Sequence, residues 1–559
     1  MFPISTTNFN QMEAPKQILG ADRARAAYQT LESPTLDYAA QANGLVQSQE
    51  TKVLGKVQAL QSSQKLQEAW TGIVGSAGPL APPLYTQVEN DRVAVAHPSM
   101  SPLVGVKGNA IHGDPNITNA FVTANQVDEM ASDHLGRDIR YRSQDGRLNI
   151  RLADGTGGPH HIQASGTITL PDKGGLTSGD DADLVAHEQG HAILDAQRPE
   201  LRPGHANEAM HEAFGDTTAL FQAFQSKEVR TDTIKRWEAG DRSCLAAKIA
   251  EGGAVNLVEG HTDPTSGLRD LSKAPPTKPD AEISDGHVAS AKFSSAMYSN
   301  VQSAYDRIRE KNPNLAKDEA LRHAAERVGS DFFRATDLMK PGSQLTQSDL
   351  AQGVMRANGV DQKGGLHEIY QRNFEQAGLT PVTTESTVHD AGLSALSSQL
   401  KLPAGLKTAQ EFDLLGGQGS KEGAQVAQDL LAQNRSVLGV PGSVDMNPSK
   451  LYHNDRGETF VSYSGTAKNG GGEEFLRLGF DAQGKLLQAD SVHEAAAAQA
   501  PVGFGFPGGF PGGFPGGLPN SSPGGLPHPA PSLPSGSFPP GISGASSPDT
   551  PKPLVWTAA

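Results

Sequence analysis

The chain has 559 residues, a formal net charge of −15 and a hydrophobic content of 36%, enough for about two or three domains and a large buried core. The acidic balance, without any basic stripe, argues against nucleic acid and against an anionic membrane surface as partners. Cys244 is the lone cysteine, which excludes an intrachain disulfide, and no run of about 18 apolar residues offers a bilayer span.

The first residues, Met1-Phe-Pro-Ile-Ser-Thr-Thr, carry neither a basic n-region nor an apolar h-region. No secretory signal is read, so the expected location is the cytoplasm, or the exterior by a non-classical route. Residues 20 to 72 read as helical, with Val53, Val57, Leu60 and Trp70 on a loose apolar stripe. A Pro/Gly-rich join from Gly75 to Pro83 closes this segment, which delimits residues 1–85 as a helical arm or pro-segment. Next come a helix from Asn119 to Leu135 and strands from Ile139 to Ala153 turning at Asp145-Gly146. An alternating strand follows from Ile162 to Leu170.

His187-Glu188-Gln-Gly-His191 comes after these, with Asp180, Asp181 and Asp183 supplying the negative charge that a helix N-terminus favours. Histidines four apart on a helix stand one turn above each other on one face. Both imidazoles can then meet one Zn²⁺ at about 2.0–2.1 Å, with the intervening glutamate beside a metal-bound water. Leu184, Val185, Ile193 and Leu194 project around the helix, which predicts burial on most sides. Buried histidines need partners, so a pair of core histidines satisfied by carbonyls is the competing reading, and the full pattern favours metal.

A second helix, from about Ala206 to Phe224, carries Met210, Phe214, Phe221 and Phe224 on one face. Glu208, Glu212 and Asp216, each four apart, fall on the other. A solvated acidic face is the bland reading, but three stacked carboxylates repel one another and a dication relieves that. One acid as ligand, and another holding a ligand histidine's second nitrogen, is the common arrangement around such an ion. Cys244 reads as a bystander in a helix.

These segments resemble the thermolysin-like metallopeptidases, a branch of the gluzincins, over roughly residues 100–380. Asp183-Leu-Val-Ala-His187-Glu188-Gln-Gly-His191-Ala echoes that family's zinc helix, and His211-Glu212-Ala-Phe-Gly-Asp216 its third-ligand segment. The resemblance implies an α+β core of two lobes: a mixed strand and helix half, then a helical half, with the zinc helix at the junction. It implies zinc on His187, His191 and Glu212, Glu188 as general base, and Asp216 as the acid orienting a ligand histidine. Asn207-Glu208-Ala imitates the first half of the same segment, so Glu208 is the rival third ligand. Ser266-Gly-Leu268-Arg269-Asp-Leu-Ser272 is similar to the segment whose arginine contacts the substrate carbonyl past the cut. Asp285-Gly-His287-Val-Ala-Ser290 is similar to the one whose histidine stabilises the oxyanion, with Asp285 or Glu282 as its orienting acid. Leu184 and Leu268 match positions lining the pocket for the residue after the cut, which implies an apolar preference there.

The departures are specific. No tyrosine between His191 and Glu212 replaces the family's oxyanion helper, so His287 acts alone or with Tyr298. His160-His161 stands near the place of the Asn-Ala that precedes the family's substrate-pairing edge strand, here Ile162 to Leu170. Asp183 matches a calcium ligand, but Gln222-Ala223 stands where a further acid is expected, which weakens the case for Ca²⁺.

Asp331-Phe-Phe-Arg-Ala-Thr-Asp-Leu and Leu345 to Ala357 look like closing helices, and the metallopeptidase-like core is delimited at 86–380. Residues 381–498 read as a small α+β module of unassigned role. Within it Ser394 to Asn434 is helix with loops, and Lys450 to Val492 is a β-meander turning at Asp455-Arg-Gly457 and Asp481-Ala-Gln-Gly484. Residues 499–559 repeat Phe506-Pro-Gly-Gly, Phe510-Pro-Gly-Gly and Phe514-Pro-Gly-Gly, which predicts a disordered polyproline-like linker, or a ligand for a partner's aromatic groove. The expected function is zinc-dependent cleavage of a peptide or protein. The alternative is a weak or inactive peptidase-fold protein that binds through its arm and tail.

Overall fold

The computed structural model describes residues between 87 and 495, the longest internal gaps being 250–268 and 380–395. The helical arm expected at 1–85 and the tail at 499–559 lie outside the described residues. Strands β1 (Gln87–Glu89) and β2 (Val93–Ala96) lead to a hairpin of β3 (Gly105–Lys107) and β4 (Ala110–His112), then to helix α1 (Pro115–Leu135). Strands β5 (Leu148–Asp154), β6 (His160–Ile162), β7 (Thr167–Lys173) and β8 (Leu176–Thr177) follow. They make a sheet in the order β1-β2-β5-β7-β6, with β8 on β7. β2, β5 and β7 are parallel, and α1 lies in the crossover that parallel β2 and β5 require.

Two sequence expectations change in this part. Ile139 to Arg147 forms no strand: the Tyr141 side chain turns inward and its hydroxyl donates to Asp128 of α1 at 2.8 Å. That buried bond outweighs the local β-propensity. Ile162 to Leu170 is a hairpin rather than one strand, because residues 163–166 turn between β6 and β7. Gly166 takes φ +62 there, with the backbone of Arg142 and Ser143 packed where a Cβ would lie. The edge strand is therefore β6, and His160-His161 belongs to it.

The helical part comprises α2 (Ala182–Gln197), α3 (His205–Ala223), α4 (Lys227–Glu238), α5 (Gly286–Lys311), α6 (Lys317–Leu338), α7 (Gln347–Gln362) and α8 (His367–Gln376). A short pair, β9 (Lys248–Ile249) and β10 (Arg269–Asp270), lies between α4 and α5. Helix α2 packs on β6 and β7 as well as on α1, α3 and α6. Phe214 and Phe221 of α3 meet Phe332 of α6 at ring separations of 4.5 and 5.6 Å, and Phe293 of α5 reaches the same ring at 6.2 Å. Each such buried ring contributes about 1.5–3 kcal/mol. Cys244 is buried but precedes a 3₁₀ turn instead of sitting in a helix, with Sγ 3.2 Å from the Tyr298 hydroxyl.

Residues 396–495 add α9 (Ala404–Lys407), β11 (Phe412–Asp413), α10 (Lys421–Asn434), β12 (Val444–His453), β13 (Thr459–Ala467), β14 (Gly472–Phe480) and β15 (Leu486–Ala495). The strands pair antiparallel in chain order, and Gly457 and Gly484 hold positive φ at the two expected turns. Leu430 and Leu431 of α10 join Val461, Leu476, Leu478 and Phe480 in a local apolar core. The join to the preceding helices pairs a small apolar cluster of Leu338, Ala357, Tyr452 and Phe460 with buried ion pairs. Arg137 contacts both Asp337 oxygens at 2.7 Å and lies 4.0 Å over the Tyr452 ring, while Arg334 meets Glu458 at 2.6 Å. No helix among the described residues is long and apolar enough to cross a membrane.

Asp331 of α6 is fully buried and accepts from Tyr370 at 2.7 Å and Asn358 at 2.9 Å. Burial pushes its carboxyl up from 3.8 to about 6, against the pull of those bonds. The folded chain thus holds a proton that the unfolded chain releases, so this group's contribution to stability falls as pH rises from about 4 to 6. Asp331→Asn should remove that slope, gaining up to about 3 kcal/mol on the wild type between pH 4 and 7 in urea unfolding. A constant difference across that range would show the carboxyl to be ionised throughout.

Candidate metal centre

Asp181 caps α2, its carboxylate accepting from the amides of Asp183 and Leu184 at 3.1 Å each. That start sets the helical phase, and the four-residue spacing brings His187 and His191 to one face with their Nε2 atoms 3.2 Å apart. Glu212 of α3 completes the group: Oε2 lies 3.2 Å from His187 Nε2 and Oε1 lies 3.6 Å from His191 Nε2. A tetrahedral Zn²⁺ with ligands at about 2.05 Å needs donors about 3.3 Å apart. The two imidazole nitrogens have that spacing, a Glu212 oxygen lies within 3.6 Å of each, and among the described residues these three side chains form the one group of His, Cys, Asp and Glu close enough to share an ion.

The helix pair reaches this geometry through two glycines. A Cβ on Gly190 would fall 2.8 Å from Gly215 Cα, and one on Gly215 would fall 2.8 Å from two atoms of the His187 ring. Asp216, fully buried, puts Oδ1 3.0 Å from His187 Nδ1, while Ser290 of α5 donates to Oδ2 at 3.1 Å. Burial alone would lower His187, but Asp216 and Glu212 hold its imidazole up at about 10. Burial keeps His191 well below the usual histidine range, hence neutral. Burial works against the charge on Glu212 too, yet His287, His191 and His187 hold its carboxyl well below the usual range. Burial raises the Glu188 carboxyl to about 7, which suits a proton acceptor near neutrality.

The other predicted residues are distributed more widely. Glu208 is exposed and lies against Gly286 at the start of α5, outside the donor group. His287 enters the group: its Nδ1 lies 2.5 Å from Glu212 Oε2 and 3.0 Å from Nη2 of Arg269. Asp285 caps α5 by accepting from the His287 amide at 2.9 Å, so it fixes the backbone of His287 rather than the imidazole. Glu282 lies outside the described residues, as does Leu268. Arg269, expected on substrate, reaches Glu212 Oε2 at 2.9 Å and Asp216 Oδ1 at 2.8 Å. Tyr298 is withdrawn from the centre: its hydroxyl donates to the Arg242 carbonyl at 2.6 Å and receives the Trp237 ring nitrogen. Leu184 is buried in the core. Near the expected calcium ligand, Asp183 is buried and Gln222 contacts Gln126 at 3.5 Å.

Several contributors were not singled out from sequence. Asp195, one turn beyond His191, faces the buried His161 Nδ1 at 3.2 Å, and the His211 ring lies 6.0 Å from that of His191. The four-residue step from His191 to Asp195 was a legible signal, as was the step from Ser290 to Ser294, which both reach Asp216. A cavity of about 1350 Å³ opens elsewhere, between Met130, His134, Ile308 and Leu315, and shares no residue with the donor group. No protein-family model matches the chain, and comparison with curated proteins finds no relative.

Gly215→Ala should cost about 1–3 kcal/mol by overpacking His187, read in urea unfolding. Gly359→Ala, at an exposed position of α7 with nothing within 4 Å of the new methyl, should instead stabilise by about 0.5–1 kcal/mol. Equal effects at both sites would remove the steric account of the α2–α3 contact.

Proposed function

We propose that this chain is a zinc-dependent endopeptidase with a two-lobed core of the thermolysin-like type. The observation that carries this reading is the convergence of His187, His191 and Glu212 within reach of one ion, with the buried Glu188 next to the histidines on the same helix. Those three side chains would hold the ion. When bound, Zn²⁺ supplies Lewis acidity toward a carbonyl oxygen and lowers the pKa of a nearby water. Glu188 accepts the proton of the attacking water and delivers it to the leaving nitrogen. His287, its backbone fixed by Asp285 and its Nδ1 beside Glu212, stabilises the developing oxyanion. Asp216 orients His187, and Arg269, expected on the substrate carbonyl, pairs with Glu212 and Asp216. A peptide or protein is the substrate, with the apolar preference after the cut that the resemblance implies.

The second reading, a peptidase-fold protein of weak or no turnover, is favoured by one observation. Tyr298 is tied to Arg242 and Trp237, which leaves His287 without a tyrosine partner at the oxyanion.

The test is hydrolysis of a quenched-fluorescent peptide library by zinc-loaded protein. Cleavage is expected to vanish in Glu188→Ala while zinc stays bound; loss of zinc with it would make Glu188 a ligand rather than a base. His287→Phe should lower kcat by about 10²–10³, and an unchanged kcat would remove it from the mechanism. Glu212→Ala should lose zinc far more than Glu208→Ala, and the reverse ranking would move the third ligand. Absence of any cleavage by the loaded wild type would favour the second reading.

A further inference from the structure

We propose that the C-terminal sheet is a clamp on the α2–α3 hairpin. Lys450 of β12 and Glu494 of β15 fix the closed end of that hairpin, and so set the separation between the α2 histidines and the α3 carboxylate. The inference rests on the metal reading above and deepens it.

Helix α2 ends at Gln197 and α3 begins at His205, so the two ligand-bearing helices share one short connection. At the α2 side the buried Lys450 ammonium donates to the carbonyl of Ala196 at 2.6 Å and to that of Gln197 at 3.2 Å. These are among the last carbonyls of the helix, which lack intrahelical partners, and a cation there opposes the negative end of the helix dipole. At the α3 side Glu494 accepts from the amides of Ser343 at 2.7 Å and Gln344 at 3.0 Å. That loop in turn grips Asn207, whose Nδ2 donates to the Ser343 carbonyl at 2.6 Å and whose Oδ1 accepts from Leu345 at 2.7 Å. Gly342 holds φ +142, and a Cβ there would fall 2.7 Å from Glu494 Oε1, so the loop lies hard against the carboxylate.

The two grips are symmetric about the donors. Ala196 is five residues from His191 on α2, and Asn207 is five residues from Glu212 on α3, about 7.5 Å along each axis. Over so short a length of helix, a tilt at the gripped end moves the donor atoms directly. Arg356 and Asp490, 2.7 Å apart, join the same sheet to α7 without touching the hairpin, and so provide a control contact.

The experiment uses the full-length chain as wild type, Lys450→Met, Glu494→Ala and Arg356→Met. Zn²⁺ affinity is measured against a chromophoric chelator, the Co²⁺ visible spectrum is recorded, and thermal unfolding is run alongside. Lys450→Met and Glu494→Ala are each expected to bind Zn²⁺ about tenfold more weakly and to shift the Co²⁺ bands. Arg356→Met should bind as the wild type does, even where its Tm falls as far, and Lys450→Arg should restore affinity. Wild-type affinity in both clamp variants, or an equal loss in Arg356→Met, overturns the clamp. If Lys450→Met does not fold, Glu494→Ala decides by the same comparison. A wild type that binds neither ion overturns the metal reading and the clamp together. A wild type that binds zinc but cleaves no peptide removes only the peptidase, since the affinities alone decide the clamp.

Discussion

Helices α2 and α3 meet at Gly190 and Gly215, where neither backbone leaves room for a methyl group. The rest of the centre follows from that approach. It lays the His187 ring over Gly215, brings Asp216 to Nδ1 and sets Glu212 against both Nε2 atoms. With any larger residue at either position the helices would stand further apart, and three donors on two elements could not share one ion. The aromatic cluster of Phe214, Phe221 and Phe332 packs the same helix from its other face, so the contact is held closed by core packing as well.

The second organising force is the handling of buried charge. Glu188, Asp216 and Glu212 are removed from water together, which is costly unless each is paired. Arg269 spans two of them, His187 and His287 supply further donors, and the Ser290 hydroxyl completes Asp216. The same economy governs the join of the C-terminal sheet, where arginines 137, 334 and 477 and Lys450 meet acids or helix-end carbonyls around a small apolar cluster. Buried ion pairs of this kind add little net stability compared with hydrophobic contacts, but they tolerate only one docking geometry.

How much of this was legible in the sequence depends on range. The phase of α2, its Asp181 cap and the apolar face of α3 are local patterns, and they led to His187, His191 and an acidic face from which the resemblance selects Glu212. The β-meander was readable because Gly457 and Gly484 mark its turns. Local pattern failed where a distant partner decided the outcome. Tyr141 left its predicted strand for Asp128, and Tyr298 left the oxyanion site for Trp237 and Arg242. Asp285 had the right place in the chain but spent its carboxylate on a backbone amide. Gly166 hid a turn inside an alternating stretch, since alternation continues unchanged through a tight hairpin. Nothing local near Lys450 or Glu494 reveals their contacts, because the partners lie in other parts of the chain.

Those separations carry a consequence for biosynthesis. Lys450 is 254 residues from the Ala196 carbonyl it holds, and Glu494 is 151 residues from Ser343. At about 5–20 residues per second, a ribosome needs roughly 10–50 s to pass from one to the other of the first pair. Throughout that interval the nascent chain carries the His-Glu-x-x-His helix and its acidic companion without the residues that hold their shared end. A chain interrupted before β12 therefore has the whole motif and none of that support.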